Sequence, residues 1–375
     1  MTDGQGSILD KIITTQQFSR KEHFRPQEIL AEILKALSER EAQVLVRRFG
    51  LPDKDKETLE SVGKSFNITR ERVRQVQKLV VGKIKKAPKL QQVLQPLKEV
   101  IMETIEAEGG AVTEKRLLQL LAEGAGQDMP RHTMRFFLSE VLNDVVSPIG
   151  YNDNDFNEGW LLHNASLEAL RKILQSAFTI LEQAGKPLSD EALVKKMLEV
   201  GAVTPLNEPA DNQKVLLALL ETGKVIKRNP YGEWGLASWD TITPKRMGDK
   251  IYLVLKKADK PLHFRQITQL INDQQFDHKQ AHAPTVHNEL ILDKRYVLVG
   301  RGIYALREWG FEPGVVAEVL AKILQEAGGP LTREDLLQRL QKQRMVQPGT
   351  VYLALTNKQL FSRTADGKYQ LAAAN

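Results

Sequence analysis

One motif occurs four times along the chain at near-constant spacing, and it constrains the fold more than any other feature. GGAVTEKRLLQLL begins at Gly109, GKPLSDEALVKKML at Gly185, DKPLHFRQITQLI at Asp259 and GGPLTREDLLQRL at Gly328, at intervals of 69 to 76 residues. Each copy joins a turn-forming pair to an apolar pattern of helical period. The interval is too long for most solenoid repeats and suits one small domain per copy. A chain of 375 residues also exceeds one ordinary core, so several domains are expected.

The same elements flank each copy. An amphipathic helix precedes it, over Leu97 to Glu108, Ile173 to Ala184, Lys250 to Ala258 and Ala317 to Ala327. A third helix follows, through Phe136, Leu216, Val286 and Val351. Two β-like runs then close the unit, over Val145 to Leu162, Val225 to Leu236, Tyr296 to Leu306 and Phe361 to Leu371. Pro-Tyr-Gly, Gly-Arg-Gly and Ala-Asp-Gly turns within alternating apolar residues signal hairpins. Helix, short strand, helix, helix, hairpin is the winged-helix plan. The expected fold is therefore mainly α: a helical head over residues 1–90, then four tandem winged-helix domains over 91–165, 166–243, 244–312 and 313–375.

Charge gives the head its role. Residues 1–90 hold 19 basic and 12 acidic residues, a net of +7, whereas the remainder holds 34 and 35. From Lys64 to Lys89 nine basic residues face one acid, Glu71. A concentrated basic stripe is the electrostatic footprint of nucleic-acid binding, and the alternative is a solvated helix face. A solvated face would intersperse acids for i,i+4 pairing, and this stripe is not expected to form such pairs. The absence of cysteine excludes disulfides, Cys-based zinc sites and thiol nucleophiles, and fits a reducing cytosol. The polar start MTDGQGS is not a signal peptide, and no apolar run is long enough to span a bilayer. A cytoplasmic, nucleoid-associated protein without membrane contact is expected.

Within the head, Pro26 to Leu37 reads as a helix on the stripe Ile29, Leu30, Ile33, Leu34, Leu37. Ser38 and Glu41 form a capping box for the next helix, which Gly50 stops. Thr58 caps a short helix through Leu59, Val62 and Phe66. Asn67-Ile68 turns the chain, and Thr69 caps a helix from Arg70 to about Lys86. Two helices so closely joined make a helix-turn-helix over Leu59 to Lys78, which commonly sets its second helix in the major groove. Val73, Val76, Val80 and Ile84 face the core. Arg70, Glu71, Arg74 and Gln75 share another face, and their types read base edges: Arg guanine, Gln adenine, Glu a cytosine amine. Arg72, Lys78, Lys83, Lys85 and Lys86 are placed for phosphates, which supply affinity without sequence information.

Residues 37–79, LSEREAQVLVRRFGLPDKDKETLESVGKSFNITRERVRQVQKL, resemble the fourth conserved region of the primary bacterial sigma factors. The run TRERVRQV at Thr69 to Val76 is the most specific part, and RRFGL and TLESVGKSF match in the right order. The resemblance covers about residues 26–90. It implies that Arg70, Glu71, Arg74 and Gln75 touch bases of the upstream promoter hexamer, with phosphate contacts near Arg48, Leu59 and Arg72. Thr69 and Lys78 join that backbone set. It also implies docking on the flap of the polymerase β subunit. Separately, KPLHFRQITQLI, PTVHNELI and RYVLVGRGIYALREWG, within about 244–312, resemble the HARE-type winged helix, with Trp309 and VGRGIYAL as structural positions. That resemblance implies a transcription or DNA context without a fixed ligand.

Two other constellations are read as structural. His278, His282 and His287 lie close together, but a proline follows at Pro284 and no HExxH pattern exists, so surface histidines are expected and no metal. Asp153, Asp155 and Asn157 mimic a calcium loop, but Gly159 falls one position late and Asn164 stands where Glu is needed, so a polar hairpin tip is expected. No phosphate-cradling or nucleophile motif appears. Neither an enzyme, a cofactor nor a small-molecule substrate is expected. The leading reading is a sequence-specific duplex-DNA-binding transcription protein acting at initiation, with core RNA polymerase as a second partner. The rivals are a polymerase-binding accessory protein and a DNA restriction or modification partner. The four trailing units are open to either DNA or protein contact.

Overall fold

A computed structural model describes residues 24–126, 128–151, 153–201, 205–206, 213–277, 279–311, 314–341, 343 and 346–372. The chain is mainly helical. It divides into two compact units, one reaching Arg228 and taking in Trp234–Ala237, the other built from Asn229–Glu233 and the residues from Ser238 onward. No helix among the described residues is long and apolar enough to cross a membrane.

The first unit opens with α1 (Pro26–Lys35), which starts on a proline without a side-chain cap, followed by α2 (Glu39–Phe49), α3 (Leu59–Phe66) and α4 (Arg70–Lys86), which begin where side chains satisfy exposed amide groups. The Ser38–Glu41 capping box forms, and Thr58 and Thr69 accept from Ser61 N at 3.1 Å and Arg72 N at 3.2 Å. Gly50 ends α2 in the left-handed conformation at φ 67°. A Cβ there would stand 2.2 Å from the Lys54 carbonyl oxygen and 2.9 Å from His132 Nδ1, so glycine alone fits both the turn and its neighbour. Helix α1 stops at Lys35, two residues before the expected end.

The next helix, α5 (Pro88–Ala107), starts at Pro88, a residue suited to a first helical turn, and runs unbroken through the expected limit of the head. The first repeat continues as β1 (Ala111–Thr113), α6 (Glu114–Ala125), α7 (Arg131–Phe136) with a π-helical turn Phe137–Val141, β2 (Val146–Ile149) and β3 (Gly159–Leu162). The second is α8 (Leu167–Ala184), β4 (Leu188–Ser189), α9 (Asp190–Glu199), α10 (Gln213–Leu220), β5 (Ile226–Arg228) and β6 (Glu233–Leu236). In both, the short strand pairs with the last strand of the hairpin, giving the orders β1-β3-β2 and β4-β6-β5.

Head and first repeat share one apolar core. A single cluster joins Ile33, Leu45, Leu51, Val80 and Ile84 to Leu97, Ile101, Phe136, Phe137 and Trp160. At the seam the Phe49 and Phe136 rings sit 4.8 Å apart. Thr133 Oγ1 donates to the Pro52 carbonyl at 2.7 Å, and His132 N donates to Asp53 at 3.0 Å. Beside the seam, the buried Glu114 carboxylate accepts from Arg131 at 2.7 Å and Tyr151 at 2.6 Å. Burial pushes that carboxyl up, but these donors and Arg135 outweigh it and hold it below the usual carboxylate range.

The loop of the first hairpin is more than a polar tip. Phe156 is fully buried, Asn157 N donates to the Thr222 carbonyl at 2.7 Å, and Asn157 Nδ2 donates to the Glu221 and Gly223 carbonyls at 2.9 Å. Asp153 and Asp155 pair with Arg171 of α8. The acids that mimic a calcium loop therefore fasten the first repeat to the second.

The second unit repeats the plan. It contains α11 (Met247–Ala258), β7 (Leu262–His263), α12 (Phe264–Gln274), α13 (Ala283–Leu292), β8 (Tyr296–Gly300) and β9 (Ile303–Leu306), in the order β7-β9-β8. Then come α14 (Val316–Ala327), α15 (Arg333–Gln341), α16 (Pro348–Leu355), β10 (Phe361–Arg363) and β11 (Tyr369–Leu371). The first strand of this fourth copy shrinks to a bridge between Leu331 and Tyr369. His278 lies outside the described residues. His287 stacks on Phe264 at 4.6 Å, which gives that histidine a packing role. Trp309 packs against the third repeat's core, and Trp160 and Trp234 are buried in theirs.

Candidate nucleic-acid interface

Helices α3 and α4 meet over a small core of Val44, Val62 and Val73, flanked by Leu59, Phe66, Ile68 and Val76. Asn67 takes the left-handed conformation that a short helix–helix turn needs. Gly63 lets the turn close: a Cβ there would lie 2.7 Å from the Ile68 carbonyl oxygen. Gly63→Ala should therefore lower stability by about 1–3 kcal/mol despite alanine's better helix propensity, because a rigid backbone atom has to yield. Urea unfolding of the full chain checks this, and an unchanged midpoint would show that the turn has slack.

The turn aims α4 so that one side is core and another is open. Val73, Val80 and Ile84 are buried, whereas Arg70, Glu71, Arg72, Arg74, Gln75 and Lys78 are all exposed. The four candidate base readers thus stand together on the amino-terminal half of α4. They are already organised. Glu71 and Arg74 form a two-point ion pair, Nη2 to Oε1 at 2.7 Å and Nε to Oε2 at 2.9 Å. Arg72 donates to Gln75 Oε1 at 3.2 Å. The hydrogen bond from Arg74 holds the Glu71 carboxyl below its usual range. This i,i+3 pair, and a Glu60–Lys64 pair at 3.0 Å, correct the expectation of a stripe without helical ion pairs.

The candidate phosphate contacts separate into two kinds. Lys78 is exposed and makes no ion pair among the described residues, and Thr69 is exposed at the start of α4. Leu59 commits its side chain to the small core, which leaves its backbone amide at the start of α3 as its polar group. Arg48 is half-buried, donates to the Glu57 carbonyl and reaches Gln77 at 3.4 Å. It is a strut between α2, α4 and the loop before α3. Lys83 pairs with Glu41, and Lys85 with Asn143 of the first repeat. These two lysines hold α4 to its neighbours. Sequence reasoning missed Arg47, which donates to Glu57 at 2.5 and 2.7 Å and to Ser65 at 2.7 Å. That arginine pulls the Glu57 carboxyl down to about 2. The adjacent pair Arg47-Arg48 before a glycine stop was the available signal.

Comparison with known proteins places the same stretch in a family. Residues 33–86 match the family model "Sigma-70, region 4". The chain is 50% identical over 58 residues to the RNA polymerase sigma factor SigA of Clostridium acetobutylicum, covering 16% of this chain and 15% of that protein. It is 45% identical over 58 residues to the sigma factor RpoD of Neisseria gonorrhoeae, covering 9% of that protein. Over 78 residues it is 38% identical to the sigma factor RpoS of Coxiella burnetii, 20% of this chain and 22% of that one. The family model marks a sigma-70 region 4 domain at the amino-terminal end, and the chain spans about 15% of the length of the first of these relatives.

Proposed function

We propose that this chain is a sequence-specific duplex-DNA-binding protein of transcription initiation, acting as a binding protein and not as an enzyme. The observation that carries the reading is the exposed, pre-organised quartet Arg70, Glu71, Arg74 and Gln75 at the amino-terminal half of α4, inside the region 4 match. In this reading α4 enters the major groove and the quartet reads a promoter-like hexamer, while Arg72, Lys78 and the amide groups near Thr69 and Leu59 fix the backbone. Core RNA polymerase is the protein partner, a reading supported by the sigma-factor relatives, and the β flap is its proposed docking element. The four repeats are winged-helix modules, the third of HARE type. Their shared order of helix, strand, helix, helix, hairpin supports this. The site of action is the nucleoid.

Paired substitutions test the assignment of faces. Arg74→Ala should cost about 1–3 kcal/mol on the preferred duplex and relax preference at one base pair. Lys78→Ala should weaken binding to every duplex by a similar factor. Selection from a randomised duplex pool, followed by titration of selected and scrambled sites, reads both. Identical losses for the two variants on every sequence would end the division into reading and backbone residues.

A further inference from the structure

One large apolar side chain of α4 lies on its outer face. Leu79 is 61% exposed, whereas every other leucine, isoleucine, valine and phenylalanine among the described residues of the head is buried or half-buried. Leaving a leucine in water forgoes the burial that holds the rest of the head together. Its place on the helix is specific. Leu79 follows Gln75 by four residues and Arg72 by seven, so the helical period sets all three on one side of α4. Arg72 and Gln75 already meet there, at 3.2 Å. A helical side chain also leans back over the turn before it, which carries Leu79 toward Gln75 and the amino-terminal half of the helix.

The surroundings of Leu79 match a polyanion. Glu71 is the one acid in α4, and Arg74 occupies it. Arg72, Lys78 and Lys86 are exposed on the same outer face and make no ion pair among the described residues. One turn beyond Leu79, Gly82 carries no side chain, and a Cβ there would meet nothing within 4 Å among the described residues, so this face stays low enough for a duplex to lie along it. A stable protein interface buries about 800 Å² on each partner, which one leucine among cations does not supply. Duplex DNA brings phosphate for the cations and, in the major groove, one apolar group, the C5-methyl of thymine.

We propose that Leu79 is a specificity residue that packs against the C5-methyl group of a thymine beside the base read by Gln75. The inference rests on the duplex-reading proposal above and extends the reading face by one turn of α4. Such a contact separates thymine from cytosine by burial and dispersion alone, without a hydrogen bond.

The test uses the full chain and a randomised duplex pool, from which the preferred duplex is selected. Each thymine of that duplex is replaced in turn by deoxyuridine, which removes the methyl group and leaves every hydrogen-bonding group in place. At one position the replacement should weaken wild-type binding about fourfold, the effect of burying one methyl group. Leu79→Ala should bind the thymine duplex about four- to tenfold more weakly than wild type and should no longer distinguish it from the deoxyuridine duplex. Matching thermal melts show that the variant folds, and the deoxyuridine series on the wild type needs no variant at all. If no deoxyuridine weakened the wild type, or if Leu79→Ala lost as much as the wild type at the same position, the methyl contact would be overturned. The reading quartet would still stand if Arg74→Ala, titrated alongside, relaxed preference at its own base pair. A pool that yields no preferred duplex would remove both. Unchanged duplex titrations with loss of core RNA polymerase binding in Leu79→Ala would assign the leucine to a protein contact instead.

Discussion

Raising monovalent salt fourfold, from about 50 to about 200 mM, should weaken duplex binding by the full chain roughly 150-fold. The figure follows from which cations are left for phosphate. Of the nine basic residues between Lys64 and Lys89, Lys64 pairs with Glu60, Arg74 with Glu71, Lys83 with Glu41 and Lys85 with Asn143. Arg70 sits with the proposed base readers. Arg72, Lys78, Lys86 and Lys89 remain exposed and make no ion pair among the described residues. Each phosphate neutralised contributes about −0.9 to the log–log slope, so four give roughly −3.6. Adding Lys83 and Lys85 would raise the slope to roughly −5.4 and the loss to about 2,000-fold. Anisotropy titrations at four or more salt concentrations separate the two. A slope beyond about −5 would mean that Lys83 and Lys85 leave their partners on binding, and a flat line would remove phosphate from the interface.

The reading of α4 shows what sequence patterns carry. Caps at Ser38, Thr58 and Thr69, the stop at Gly50 and the inward stripe Val73, Val80, Ile84 were legible because each depends on residues a few positions apart. The order of elements in the repeats was legible for the same reason. What stayed hidden depends on partners far along the chain. Nothing local to Lys83 or Lys85 names Glu41 or Asn143, and nothing in Asp153 and Asp155 names Arg171. A basic residue looks identical whether it waits for phosphate or holds two elements together. Which cations of the stripe are exposed without an ion pair among the described residues, and which act as struts, therefore needed the fold.

The largest effect on stability should come from Phe136→Ala. From sequence, Phe136 marks the third helix of a separate module, and its loss would concern that module alone. In the structure it is 1% exposed and sits in the cluster shared with the head, packed against Phe49 at 4.8 Å and Phe137 at 5.7 Å. Truncating a fully buried phenylalanine costs about 3–5 kcal/mol, from lost burial and from the cavity left behind. Here the cavity would open beneath the end of α2, whose Gly50 turn is wedged against His132, leaving little room for collapse to refill it. The unfolding transition that includes the head should move with the variant, and the loss should be read from urea curves monitored both by far-ultraviolet dichroism and by duplex binding. The two probes should shift together, because the helix that carries the proposed base readers and the helix that carries Phe136 are parts of one core. If dichroism shifted while duplex binding held its midpoint, head and first repeat would unfold separately, and the shared cluster would be a contact between two independent modules rather than the single core that positions α4 for DNA.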